Sequence, residues 1–161
     1  FDPAMDDYQN RLTTPFDISA HARGSVLIHE LTHLKFRTED IAYLDSMRPF
    51  SDLIDANKPG AQLMKTTLED LHKTALSMLT PATMLFKTWD DLESKWADFG
   101  AETATYHVKQ KVLNTTGAKD LDNARQIFMN DPDKRIDTIL ANADSVTYLI
   151  THLGRLLDPG A

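Results

Sequence analysis

The chain has 161 residues, 42% of them hydrophobic, which is enough apolar material for one ordinary globular domain. Its formal charge of −7, with Lys and Arg scattered rather than clustered, gives a nucleic acid or an anionic membrane no electrostatic handhold. It contains no cysteine, which excludes disulfides, cysteine-ligated zinc and a cysteine nucleophile, and fits action in a reducing compartment.

Residues 1 to 20 carry Pro3, Pro15 and several Asp and Thr, and read mostly as loop, with a short strand or helix around Tyr8 to Leu12. The acidic N-terminus lacks the basic region of a signal peptide, and no run of roughly 18 apolar residues marks a membrane span. The sequence starts without Met and is expected to be part of a longer protein. Ser19 reads as the N-cap of a helix from Ala20. From Arg23 to Phe36 that helix holds Val26, Leu27, Ile28, Leu31, Leu34 and Phe36, so it is expected to be largely buried.

Within it stands His29-Glu30-Leu31-Thr32-His33, an H-E-x-x-H pattern. At about 100° per residue, His29 and His33 lie roughly 40° apart and one turn along the axis, so both imidazoles can reach one metal ion. Glu30 lies about 60° from His33, where a carboxylate flanks the ion without ligating it and can act as general base on a water. Catalytic zinc usually takes three protein ligands and keeps one position open. Asp40, Asp45, Glu69, Asp70, Asp91, Glu93 and Glu102 are all candidates for the third, and a glutamate on a later helix would favour Glu69, Glu93 or Glu102. For Asp40 to serve, the chain must turn back after His33, because seven residues of helix would separate the two by about 10 Å. Thr38 then reads as the cap of a second helix carrying Asp40 and Tyr43 and ending before Pro49.

Residues 61 to 79 have the apolar spacing of an amphipathic helix. Leu85, Trp89, Leu92, Trp96 and Phe99, alternating by four and three, extend the helical pattern over 82 to 99, with the tryptophans in the core. The two segments are expected to form a helical hairpin. Further helices are expected over 101 to 113, after the cap Asp120, and from Asp131-Pro132 onward. No segment alternates long enough for a clear strand, and the fold class is mainly α, with at most a small β element near the N-terminus. His21, His72, His107 and His152 stand alone and read as surface or packed rings.

The pattern His29-Glu30-Leu31-Thr32-His33 followed by Thr38-Glu39-Asp40-Ile41-Ala42-Tyr43 resembles the aspzincin metalloendopeptidases, the deuterolysin and peptidyl-lysine endopeptidase group, whose signature is H-E-x-x-H then G-T-x-D-x-x-Y-G. Near the C-terminus Asn142-Ala143-Asp144-Ser145 and Tyr148 look like that family's N-A-D-S segment. The resemblance implies a single zincin-like domain over 1 to 161, with His29, His33 and Asp40 as zinc ligands, Glu30 as general base and Tyr43 stabilising the oxyanion. Asp144 would line a pocket for a basic side chain just after the scissile bond. Thr147 stands where the lysine-specific members have an acid, and Arg37 and Leu44 replace the signature's two glycines. About a hundred residues separate Asp40 from Asp144, so roughly 50 to 130 reads as a helical insertion.

The implied activity is zinc-dependent hydrolysis of peptide bonds in a protein substrate. One setting that fits is the effector or toxin domain of a larger bacterial protein, secreted or translocated into a reducing cytosol and met by a cognate inhibitor or immunity protein. The competing reading is a non-enzymatic helical interaction module whose H-E-x-x-H is vestigial or accidental.

Overall fold

The computed structural model describes residues 3–100 and 105–157. In chain order its helices are α1 (Pro3–Gln9), α2 (Ile18–Phe36), α3 (Ala61–Thr74), α4 (Tyr106–Thr116), α5 (Leu121–Asn130), α6 (Pro132–Leu140) and α7 (Ala143–Leu157). Short 3-10 turns lie at Ser51–Leu53 and Ala82–Met84, and strands β1 (Lys87–Asp90) and β2 (Lys95–Asp98) form an antiparallel hairpin. The fold is mainly α, as the residue spacing predicts. Glu102 and the expected start of a helix at Ala101 fall outside the described residues.

The aspartate caps act as expected for the later helices. Asp120 accepts from Asn123 N at 2.8 Å to open α5, and Asp131, followed by Pro132, accepts from Asp133 N and Lys134 N at 3.0 and 3.1 Å to open α6. For α2 the cap is Asp17 rather than Ser19: its Oδ1 accepts from Ala20 N at 2.8 Å.

The expected helical hairpin is not there. Its first helix stops at Thr74, and residues 87–90 and 95–98 are strands, with Trp89 opposite Trp96 and their rings edge-on at 5.7 Å. A spacing of seven is two helical turns, but it also places two residues opposite each other across a short turn, so the aromatic pattern served both geometries. The turn decides: Asp90 Oδ1 accepts from Leu92 N and Glu93 N, and Ser94 takes a left-handed backbone at φ 48°. Both tryptophans are about half exposed, so they are not core residues.

Two apolar clusters support the molecule. The larger joins Phe86, Phe99, Val108, Val112, Leu121, Ala124 and Phe128 to Ile41, one residue past Asp40. The smaller gathers Leu12, Ile54, Ala61 and Leu68 around an isolated bridge between Leu12 and Ile54. The helix α2 packs on α7 through a different surface. Its buried residues, Ile18, Ser25 and Thr32, recur every seven residues and meet a face of α7 that buries Ala143, Asp144 and Thr147. Small and hydroxylated side chains line this seam.

The apolar residues of α2 therefore point elsewhere, which corrects the expectation of a largely buried helix. Leu27 is 62% and Leu34 81% exposed, because each lies two residues, about 200°, past a seam residue.

Candidate metal centre

The helix α2 ends where Arg37 adopts a left-handed conformation, φ 54° and ψ 41°, at the position of the signature's first glycine. The chain reverses there, as the distance between His33 and Asp40 requires. It does not enter a second helix: residues 38 to 46 form an irregular loop. Tertiary hydrogen bonds explain why. Glu39 forms a parallel bridge with Asn142, its N–H donating to Ala141 O at 2.9 Å and its carbonyl accepting from Ala143 N at 3.0 Å. The Asn142 side chain, fully buried, accepts from Ile41 N and Ala42 N at 3.0 Å each and donates to Ala42 O at 2.9 Å and Ser145 Oγ at 2.8 Å. Every polar site on that amide is thus used, and the loop is held extended.

This arrangement brings three side chains to one point. His29 Nε2 lies 3.2 Å from His33 Nε2 and 3.0 Å from Asp40 Oδ1, and His33 Nε2 lies 3.5 Å from the same oxygen. His33 Nδ1 sits 2.8 Å from Thr38 O, and because a carbonyl only accepts, the ring proton is on Nδ1 and the Nε2 lone pair faces inward. Thr38 is itself fixed by a hydroxyl pair with Thr32 at 2.8 Å, and Thr32 Oγ1 donates to His29 O at 2.8 Å. His29 Nδ1 faces Asp144 Oδ1 at 3.6 Å. Asp40 Oδ1 is buried and makes no hydrogen bond. Two imidazole nitrogens and a buried carboxylate oxygen that meet at one point are a donor set for a cation, so His29, His33 and Asp40 can hold a metal ion.

Around this centre Glu30 is exposed on the neighbouring face of α2. Tyr43, 64% exposed, donates from its hydroxyl to Asp40 Oδ2 at 3.2 Å. Partial burial, then the charge of Asp40 and its hydrogen bond, and last Asp144, raise the Tyr43 pKa above its usual value and keep the phenol a donor. Asp144, expected to line a substrate pocket, is placed inward and is only 4% exposed. Its carboxylate accepts from Leu44 N, from Ser46 Oγ and, at 3.4 Å, from Ser46 N. Among the described residues, Asp45, Glu69, Asp70, Asp91 and Glu93 are not part of the metal-competent group.

Of the lone histidines, His21, His72 and His152 are packed against aromatic rings. His21 Nε2 lies 3.1 Å from both Ser46 O and Arg48 O, and its ring meets Phe50 at 5.3 Å. His72 and His152 lie against Tyr148 at 4.6 and 6.0 Å. Burial pulls the pKa of His21 and of His72 below 6.5, more than neighbouring carbonyls and carboxylates restore it. Sequence reasoning missed the supporting residues Thr32, Thr38, Ser46 and Asn142. Asn142 was visible within the N-A-D-S segment but had no assigned task, and nothing in one sequence marks Ser46. Scans of family models, of curated proteins and of solved structures find no match to this chain.

Proposed function

We propose that the chain is a zinc-dependent endopeptidase, with His29, His33 and Asp40 as ligands, Glu30 as general base and Tyr43 as oxyanion donor. The observation that carries this reading is the convergence of His29 Nε2, His33 Nε2 and the orphaned Asp40 Oδ1 on one point. Tetrahedral zinc with bonds of about 2.0–2.1 Å needs ligand atoms roughly 3.3–3.4 Å apart. The three separations of 3.0, 3.2 and 3.5 Å bracket that value. The donors are nitrogen and carboxylate oxygen, which suit zinc, and three of them leave a position for water. The resemblance to aspzincins at both segments adds support.

When bound, zinc supplies a Lewis acid that polarises the scissile carbonyl and makes a water nucleophilic near neutral pH. Glu30, exposed beside His29, takes the proton of the attacking water and delivers it to the leaving amine. Tyr43 transfers its hydrogen bond from Asp40 Oδ2 to the oxygen that gains charge, a contact worth about 3 kcal/mol in comparable sites.

The test pairs metal content with peptidase activity. Purified protein should hold zinc, cleave a denatured protein and stop on chelation; Glu30→Gln should keep the zinc and lose cleavage, and an active Glu30→Gln protein overturns the assignment. A second reading, a helical interaction module, draws on the exposed Leu27, Leu34, Leu149 and Leu153 along α2 and α7. A chelator that leaves every measurable property unchanged would favour it.

A further inference from the structure

We propose that Asp144 is a positioning residue that orients His29 for the metal, a different task from lining a substrate pocket; the proposal rests on the metal-centre reading above. The two histidines are not supported alike. His33 is oriented by a backbone carbonyl, Thr38 O, which no side-chain substitution removes. For His29, the polar group facing Nδ1 among the described residues is the Asp144 carboxylate, at 3.6 Å.

The proton on a neutral His29 has two places to go. On Nε2 it would point at Asp40 Oδ1, 3.0 Å away, and close the inner face of the site to a cation. On Nδ1 it points at Asp144 Oδ1 and leaves the Nε2 lone pair free. A carboxylate outside a ligating imidazole selects the second tautomer and fixes the plane of the ring. Asp144 suits that role. It stands in the first turn of α7, where the helix N-terminus favours negative charge. Its Oδ2 is fixed by Leu44 N and Ser46 N, so the carboxylate cannot rotate away from the ring. Ser46 Oγ donates to the same Oδ1 that faces His29, which ties the loop carrying Tyr43 to the ring orientation.

The experiment uses the whole chain, zinc alone as the probe, and two readouts: zinc affinity by competition with a chelator, and the His29 tautomer by long-range proton–nitrogen correlation NMR on metal-free protein. The wild type should show the His29 proton on Nδ1. Asp144→Ala and Asp144→Asn should bind zinc roughly 10–100-fold more weakly and move the His29 proton towards Nε2. Ser46→Ala, which removes one donor to Asp144 but leaves the carboxylate held by the Leu44 and Ser46 amides, should weaken zinc binding less than Asp144→Ala and keep the His29 proton on Nδ1. A wild-type proton on Nε2 overturns the proposal and needs no variant that folds. So does wild-type affinity in Asp144→Asn, or a loss in Ser46→Ala as large as in Asp144→Ala, which would mean that Asp144 acts through the loop. A wild-type chain that binds no zinc overturns the metal-centre reading and this proposal with it, and is thereby distinguished from failure of the proposal alone.

Discussion

Around Phe128 the chain is held chiefly by apolar packing. Val112, Ala124 and Phe128 are fully buried, Phe86 meets Phe128 edge-on at 5.8 Å, and the helices α4, α5 and α6 pack on one another. Around Asp40 it is held by nitrogen and oxygen: Asn142 and Asp144 receive the amides of residues 41, 42, 44 and 46, and the α2/α7 seam is lined by Ser25, Thr32 and Thr147. Apolar burial is spread over many atoms and tolerates displacement, whereas a hydrogen-bonded clamp fixes position at a few atoms. A site needing three ligand atoms held to fractions of an ångström is better served by the second kind of support.

The largest effect that would break this contrast is at the apolar end. Phe128→Ala should cost about 3–5 kcal/mol in denaturant unfolding, yet the protein that remains folded should bind metal as before; weakened binding there would mean that the two regions are not separable. Asn142→Ala removes the acceptor of the Ala42 amide and one of the two acceptors of the buried Ile41 amide and should cost roughly 1–3 kcal/mol. Here metal affinity should fall together with stability, and unchanged affinity would remove the loop clamp from the account.

Acid should act on the polar region first. A histidine whose pKa is lowered by folding contributes its full stability above 6.5, and loses it as the pH falls through the lowered folded value. Protonation would charge a His21 ring buried against Phe16 and Phe50, which the Ser46 and Arg48 carbonyls offset only in part, and a His72 ring buried against Tyr148. Melting temperature should therefore drop below about pH 6.5, and amide exchange should rise in residues 38 to 50 before it rises in α4 to α6. Uniform loosening would erase the distinction. The smallest effect concerns Arg37, whose left-handed backbone suits glycine: Arg37→Gly should stabilise by up to about 1 kcal/mol. The Lys111 contact to Arg37 O should survive, since it uses the backbone.

The parts of this molecule legible in the sequence are those whose physics is local. Two histidines one turn apart, Asp131 before Pro132 and Asp120 before an apolar run declare themselves within a few residues, and the reversal after His33 follows from helix rise once Asp40 is to meet the two histidines. The loop at Asp40 could not be read, because Thr38 is a fair helix cap and the hydrogen bonds that prevent a helix come from residues 141 to 143. The outward face of α2 was hidden for a similar reason: its partner presents Ala143 and Thr147, so the buried stripe is the small one and the leucines are left over. The Trp89 and Trp96 pair was ambiguous in period and was settled by an aspartate turn.

The bond from Ile41 N to Asn142 spans 101 positions of the chain. During synthesis the histidine helix is therefore made long before the residue that holds the loop of Asp40 beside it. A nascent or truncated polypeptide ending before Asn142 would carry both imidazoles but nothing to hold Asp40 beside them. The geometry that could hold a metal is thus deferred until residues 141 to 144 have been made, about a hundred positions after the loop they clamp.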